Sequence, residues 1–395
     1  MTDRFVAEPD LGFVNEVIGL GGDSLKKCFQ CATCSVVCPI SPDLKPFPRK
    51  EMIAASWGLR DKLTKNLDVW LCHECGDCST KCPRGARPGD VLSAVRSYTI
   101  QEYAPLKGVG KAVNDPKKLP LLIALPAILF AVLAFINVNF SGVMESIFGA
   151  VGLEWSHAHE GEHVLAHANF FSTWFVDMVF VPLAGLVVLA FAIGLYRFVN
   201  DIHAQALADG KTTKQNLDYM GVVKGIVAVI PMILKHDKFS ECSENSDRAT
   251  PHMMVLFSFI ALFVVTNIFF VALYVLGAPG PYSQFNPVKI LANVAGIALI
   301  IGGIMMIKNR LAKKDQSTSY KDWYLIGLVL GLGLSGMLTE LTRLAGAEAL
   351  TYFMYYIHLI FIFNLFAFLP FSKLAHLVYR TVALGYGNYA GRENK

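Results

Sequence analysis

Charged side chains are scarce. Asp, Glu, Lys and Arg make up 17% of the 395 residues, against 54% hydrophobic ones and a mean hydropathy of +0.44, which excludes an ordinary soluble enzyme and points to a membrane protein. A strong net charge is missing too: the formal +4 is small, and its lysines and arginines flank apolar runs, so nucleic-acid binding is excluded. No G-x-G-x-x-G opens a strand–helix unit, which argues against a flavin held in this chain. No cleavable signal peptide is expected ahead of the first domain. Cysteine is nearly absent beyond residue 116, with eight of the nine before that point. The distribution predicts two domains in different solvents, residues 1–116 in water and 117–380 in lipid, with a short tail over 381–395.

Windows of about 20 apolar residues fall at roughly 118–138, 171–198, 252–276, 287–307, 323–345 and 353–378. An even number of spans puts both termini on one side. Lysine and arginine cluster before span one (Lys107, Lys111, Lys117, Lys118), between spans two and three (Arg197, Lys211, Lys214, Lys224, Lys235, Lys238) and after span four (Lys308, Arg310, Lys313, Lys314, Lys321). The connector 139–170 holds Glu145, Glu154, Glu160 and Glu162 and no lysine or arginine. By the positive-inside rule the 1–116 domain and both termini are cytoplasmic and 139–170 is outside.

Cys28, Cys31, Cys34 and Cys38 stand at C-x2-C-x2-C-x3-C before Pro39, and Cys72, Cys75, Cys78 and Cys82 repeat the spacing before Pro83. Three closely spaced thiolates hold three corners of a cubane, and the fourth cysteine reaches the neighbouring cluster in two-cluster ferredoxins. The expected sets are therefore Cys28, Cys31, Cys34 and Cys82 for one [4Fe–4S] cluster, and Cys72, Cys75, Cys78 and Cys38 for the other. Disulfides fit a reducing cytoplasm poorly, and zinc sites use separated cysteine pairs. Cys242, without cysteine neighbours, reads as a free thiol in a loop.

The segment WGLRDKLTKNLDVWLCHECGDCSTKCPRGARPGDVLSAVR, from Trp57 onward, resembles the HdrC-type iron–sulfur component of heterodisulfide reductases, with CFQCATCSVVCP (28–39) matching its first half. The likeness covers most of residues 20–105. It implies a helical, ferredoxin-like relay of two clusters without a substrate of its own.

A histidine ring inside hydrocarbon is costly unless partnered or used. His358 and His376 are 18 residues apart on span six; five helical turns put both rings on one face about 27 Å apart, nearly the depth of the bilayer core. One helix would then serve two stacked haems. His252, at the cytoplasmic start of span three, is level with His376 and is its expected partner. His358 needs a partner at the outer surface, where His163 and His167 stand at i and i+4, His167 being closer to the apolar run. An exposed loop of surface histidines (HAHEGEHVLAH, 157–167) is the alternative.

The stretch IHLIFIFNLFAFLPFSKLAHLVYR (357–380) resembles the last span of the haem b component of respiratory nitrate reductases, in which two histidines at this spacing bind different haems. FVDMVFVPLAGLVVLAFAIGLYRF (175–198) is similar to that family's first span and VKILANVAGIALIIGGIMMIKNRL (288–311) to its third. The second span of the family carries two histidines ten residues apart; here the first matches His252 and the second falls at Leu262, which leaves one haem rather than two open. ILKHDKFSECSENSDRATPH (233–252) is similar to the haem component of heterodisulfide reductases, and Arg248, a turn before His252, pairs with a haem propionate or flanks the membrane.

For a quinone headgroup the candidates are Lys289 at the outer start of span four, Asp177 in span two and Glu340, which forms an i,i+3 pair with Arg343. Lys289 matches a lysine associated with the nitrate-reductase quinol pocket; snorkelling and structural pairing are the alternatives. The fold expected is all-α: a two-cluster domain fused to a six-helix haem b bundle. This order is similar to the QmoC family, the haem-bearing membrane components of the quinone-interacting membrane-bound oxidoreductase complexes of sulfate reducers. That resemblance implies electron flow from menaquinol through haem b and both clusters to two flavin-containing partner subunits, QmoA and QmoB, and onward to adenylylsulfate reductase. A heterodisulfide-reductase or sulfite-reduction membrane subunit, or an anchor without quinone turnover, remains open.

Overall fold

The computed structural model describes residues 8–153, 155, 165–236, 244, 246–278, 280–312 and 319–392. His163, Cys242, Glu154, Glu160, Glu162, Lys238, Lys313 and Lys314 lie outside the described residues. Among the described residues the structure is helical, with no strand.

The first segment is built of short helices α1 (Leu11–Val17), α2 (Thr33–Val36), α3 (Arg49–Ser56), α4 (Arg60–Thr64), α5 (Asp68–Leu71) and α6 (Asp77–Thr80) around one long helix, α7 (Pro88–Tyr103). Pro88 occupies the first position of α7, where a missing N–H costs nothing. Fourteen of the sixteen α7 residues are buried, so this helix is the axis of the segment. Next come α8 (Lys107–Val113), α9 (Leu119–Asn139), α10 (Ser141–Ala150) and α11 (His167–Phe170). The remaining helices are α12 (Thr173–Ala208), α13 (Tyr219–Lys235), α14 (Ala249–Tyr274), α15 (Pro287–Ala312), α16 (Tyr320–Leu344), α17 (Glu348–Ala367) and α18 (Ala375–Ala390).

Six helices are long and apolar enough to cross a membrane: Pro116–Asn139, Thr173–Ala208, Ser246–Tyr274, Pro287–Ala312, Tyr320–Leu344 and Glu348–Ala367. Their outward faces present bare apolar side chains such as Leu186 and Val188, which only lipid or a partner would cover. α14 packs on α15, α15 on α16 and α16 on α17, while α17 also meets α9 and α12. The bundle has a near end, at the iron–sulfur segment, and a far end opposite it.

Three expectations require correction. Span six, expected as one helix over 353–378, is two: α17 stops at Ala367, a 3-10 turn covers Leu369–Phe371, and α18 starts at Ala375. Pro370 lacks an N–H and drives its predecessor out of the helical region, and Ser372 is extended. His358 and His376 are therefore not on a common helical face. The expected tail 381–395 is helical through Ala390. Finally, the connector between spans two and three contains α13, and α12 runs ten residues past the expected end, its 36 residues reaching roughly 54 Å.

These unexpected pieces join the two halves. α13 and α18 cross so closely that a Cβ on Gly225 would sit 2.2 Å from the Gly385 carbonyl oxygen. Trp70 of α5 stacks on Tyr379 of α18 and meets Phe198 of α12 edge-on, with ring centres 5.8 and 5.2 Å apart. Residues 1–116 and the near-end helices thus share one hydrophobic core rather than meeting at a linker. A buried polar clamp sits beside it: Asp68 accepts from Arg392 (3.0 Å) and pairs with Lys211 (3.1 Å), and Lys211 also reaches Asn66 (2.9 Å).

Glu51 closes this clamp, accepting from Asn66 at 3.0 Å, while its other oxygen is buried with no hydrogen-bond partner among the described residues. Burial first, and the charge of Asp68 second, raise its carboxyl to about 7. An acid raised on folding stabilises the fold fully at acid pH and loses that contribution as pH climbs from the ordinary carboxylate range through about 7. Glu51→Gln should therefore raise the melting temperature at pH 8 and change it little at pH 5; equal shifts at both would contradict the assignment.

Candidate functional site: two thiol loops and a through-bundle cavity

The two cysteine motifs fold alike. Gln30 and Ala32, on either side of Cys31, have φ of 59° and 71°, and Glu74 and Gly76, on either side of Cys75, have 57° and 96°. Three of these four are not glycine, so left-handed backbone is held at a cost. Such turns aim successive N–H groups inward: Glu74 N donates to Cys72 Sγ at 3.3 Å, and backbone amides also reach the thiols of Cys34, Cys38 and Cys78. α2 and α6, which carry Cys34 and Cys78, pack together. None of the eight cysteines is in a disulfide.

The thiols form two neighbourhoods. Cys34 feels Cys28 and Cys31, whereas Cys38 feels Cys72 and Cys75, and Cys78 feels all three of Cys72, Cys75 and Cys38. Burial raises Cys34 to about 11 and Cys38 to about 12, with the adjacent thiolates adding to both. Exposed Cys31 is lowered instead by its hydrogen bond with the Thr33 hydroxyl. Crowded, buried thiolates of one sign are stable only around compensating positive charge, which cluster iron supplies. The donor set therefore fits two cubanes. No three described His, Cys, Asp or Glu side chains converge as they would on a single ion.

Beyond the second loop a cavity of about 1260 Å³ runs through the bundle from His73, Glu74 and Cys75 to Asp177, Lys289 and Glu340. It exceeds the ~300–1,000 Å³ of a single small-molecule pocket. His252, His376, His358 and His167 all line it. His252 and His376 lie within electrostatic reach of each other near the thiol loop, and His167 and His358 toward the far end. His358 Nδ1 is 2.9 Å from Ser335 Oγ, and a Cβ on Gly336 would come within 2.9 Å of the His358 ring. His167 stacks on Tyr355 at 4.6 Å, its Nδ1 buried without a hydrogen-bond partner among the described residues. Leu262 is a plain apolar wall of the same cavity.

The near end of the cavity is cationic. Arg96, Arg248, Arg310, Lys373 and Arg380 line it against the carboxylates Glu74 and Asp322. Glu74 pairs with Arg96 at 3.4 Å, and Asp322 pairs with Arg310 at 3.2 Å and with Lys373. Arg248 donates to the Glu74 carbonyl at 3.4 Å, and Arg380 lies 2.9 Å from His73 Nδ1. Positive charge thus exceeds negative on this wall, a match for the two propionates of a haem. Paired imidazoles, glycine clearance, apolar walls and this charge balance together fit haem in the cavity.

At the far end Glu340 pairs with Lys289 and Arg343, both at 2.9 Å, and accepts from Gln284 at 2.5 Å; Gln284 in turn accepts from Asn293 at 3.0 Å. Asp177 accepts from the Tyr274 hydroxyl. All three expected quinone-site residues thus border the cavity. Sequence reasoning missed Ser335, Tyr274, Gln284 and His236. His236 Nε2 stands 2.7 Å from His252 Nδ1, and the only available signal was a histidine at the end of a pattern not read as a helix.

Residues 24–86 match the 4Fe-4S dicluster domain family. The chain is 36% identical over 108 residues to the iron–sulfur component, HdrC, of the H(2):CoB-CoM heterodisulfide,ferredoxin reductase of Methanothermobacter marburgensis, covering 26% of this chain and 58% of that protein. It is 36% identical over 86 residues to an HdrC-like protein of Archaeoglobus profundus, covering 22% and 46%. Citrate utilization protein B of Escherichia coli is 24% identical over 382 residues, 91% of this chain and 89% of that one. The chain thus spans about half the length of the two HdrC-type relatives, all within its iron–sulfur part, and most of the third. No solved structure matches it. An iron–sulfur electron-transfer subunit of an oxidoreductase, with a 4Fe-4S dicluster domain and six helices able to span a membrane, is what these likenesses support.

Proposed function

We propose that the chain oxidises menaquinol at the far end of its membrane bundle and delivers the electrons to a soluble partner at the iron–sulfur segment. The observation that carries this reading is the single cavity joining Lys289, Asp177 and Glu340 to the loop of Cys75. His252 and His376 hold one haem b and His358 and His167 a second, Arg248 being among the cations that meet the propionates. Cys28, Cys31, Cys34 and Cys82 hold one [4Fe–4S] cluster and Cys72, Cys75, Cys78 and Cys38 the other. When bound, these groups supply one-electron carriers between a two-proton, two-electron donor and the partner.

The far-end residues account for quinol binding and proton removal. Lys289, steadied by Glu340, donates to a headgroup oxygen, and Arg343 and Gln284 hold Glu340 in place. The Asp177 and Tyr274 pair receives a quinol proton and passes it toward the far side. With the lysine-rich connectors cytoplasmic, both termini and the clusters face the cell interior and the protons leave outside. Around Cys31, exposed Phe29 and Val36 with Arg84 4.1 Å above the Phe29 ring form an apolar, cationic face suited to an acidic partner. The resemblance to quinone-interacting oxidoreductases of sulfate reducers makes the flavin-containing QmoA and QmoB, linked to adenylylsulfate reductase, the proposed partners. The near full-length likeness to citrate utilization protein B favours a second reading, in which the same architecture serves a different soluble redox partner.

The test is haem reduction by a menaquinol analogue in the purified, lipid-embedded protein. Quinol should reduce the haem, and Lys289→Ala should slow this at least tenfold with haem content unchanged, the loss of about one charge-assisted bond or more. A haem that quinol never reduces would leave only an anchor.

A further inference from the structure

His236 lies outside every role assigned so far. It follows the last turn of α13 in a left-handed conformation, φ 57° and ψ 30°, a place that glycine or asparagine usually fills. A β-carbon residue there is strained, and strain persists where the surroundings require the side chain. The ring is buried and faces the cavity. Its Nδ1 is 3.2 Å from the Leu234 carbonyl oxygen, which can only accept, so Nδ1 carries the proton and Nε2 is left as an acceptor. That Nε2 is 2.7 Å from His252 Nδ1. His252 Nδ1 must then carry a proton and donate it, which leaves His252 Nε2 with a lone pair. One carbonyl thus fixes two tautomers in series.

The geometry points to His236 as the positioning residue of His252: it selects the Nδ1–H tautomer, orients the ring and strengthens Nε2 as a donor to haem iron. This inference rests on the haem reading above. Ligating histidines usually donate their second N–H to a carboxylate, carbonyl or water, and removing such a partner typically costs 10–100-fold in metal affinity or activity. A neutral imidazole acceptor is a less common choice. It polarises the His252 N–H without placing an anion beside the cationic end of the cavity, where it would compete with the propionates for Arg248 and Arg380. Donation through Nε2 favours the ferric state, so the His236 contact lowers the potential of the near-end haem.

The experiment is redox titration with electron paramagnetic resonance on the full, lipid-embedded chain, comparing His236→Leu, His236→Gly and His236→Gln. Leucine removes the acceptor. Glycine removes it while relieving the left-handed strain, and glutamine keeps a carbonyl acceptor of similar reach. The expected result is a rise in the near-end haem potential for leucine and glycine equivalent to a tenfold shift in the ferric–ferrous equilibrium, about 59 mV for one electron. Glutamine should restore most of it, with the far-end haem unchanged in all three. Loss of the near-end haem in the leucine and glycine variants but not in glutamine would support the inference equally. Wild-type potentials and signals in all three variants would overturn it while leaving the haem reading intact; a shift in leucine but not glycine would assign the effect to backbone strain and also overturn it. Wild-type protein without haem would overturn the haem reading itself.

Discussion

Replacing His376 with alanine should halve the haem bound per chain and leave the iron–sulfur signals in place. His376 is in the first turn of α18, and the helix is held by groups other than its ring: Ala375 and Tyr379 are fully buried, and Tyr379 stacks on Trp70. The imidazole points into the cavity beside His252, so the truncation removes a ligand without opening the core. The cationic wall of Arg248, Arg310 and Arg380 remains, but charge pairing alone does not hold iron. Quinol-driven cluster reduction should fall by two orders of magnitude or more, beyond the ~10–100-fold seen when only a supporting contact is lost. Pyridine haemochrome analysis against protein and iron reads both outcomes. Unchanged haem content would move the near-end ligand elsewhere, with His236 the next imidazole on that wall.

The second large effect is expected at Cys38. Its thiol lies among Cys72, Cys75 and Cys78, not with the three cysteines that precede it in the chain. Cys38→Ala should therefore lower non-haem iron from about eight to about four per chain and remove the same paramagnetic signal as Cys75→Ala. Cys82→Ala should remove the other signal, as Cys31→Ala does. Assignment of each run of four to its own cluster predicts the reverse pairing, so the four variants separate the two schemes. The functional readout differs as well. The cluster with Cys75 borders the cavity, so Cys38→Ala should leave the remaining cluster beyond the reach of quinol-derived electrons, whereas Cys82→Ala should not.

What was legible in the sequence was local or imposed by solvent. The spans show in composition because a helix crossing hydrocarbon must be about 20 residues of apolar side chain. The cysteine loops show in spacing because three corners of one cluster must come from one tight turn. Less legible were features set by long-range packing. Pro370 ends a helix, yet Pro126, Pro182 and Pro231 sit inside theirs, so proline in an apolar run did not by itself mark the break. At Pro370 the adjoining Phe371 and Ser372 bury themselves and the chain re-enters as α18 against the iron–sulfur segment.

The histidines show the same division. The sequence by itself determined that His252, His358 and His376 stand beside apolar spans, that two thiol motifs precede them, and that cations gather on one side. Only the tertiary structure decided that His167 faces His358, that His236 backs His252, and that Cys38 joins the second loop. The expected span-six geometry, one straight helix carrying both rings, gave way to a broken one that still leads both to the same cavity. The physical reason is that motif spacing and hydropathy report the nearest few turns of chain. Pairings between residues far apart in the chain depend on which helix faces meet, and that is decided by glycine contacts such as Gly225 on Gly385 and aromatic stacks such as Trp70 on Tyr379.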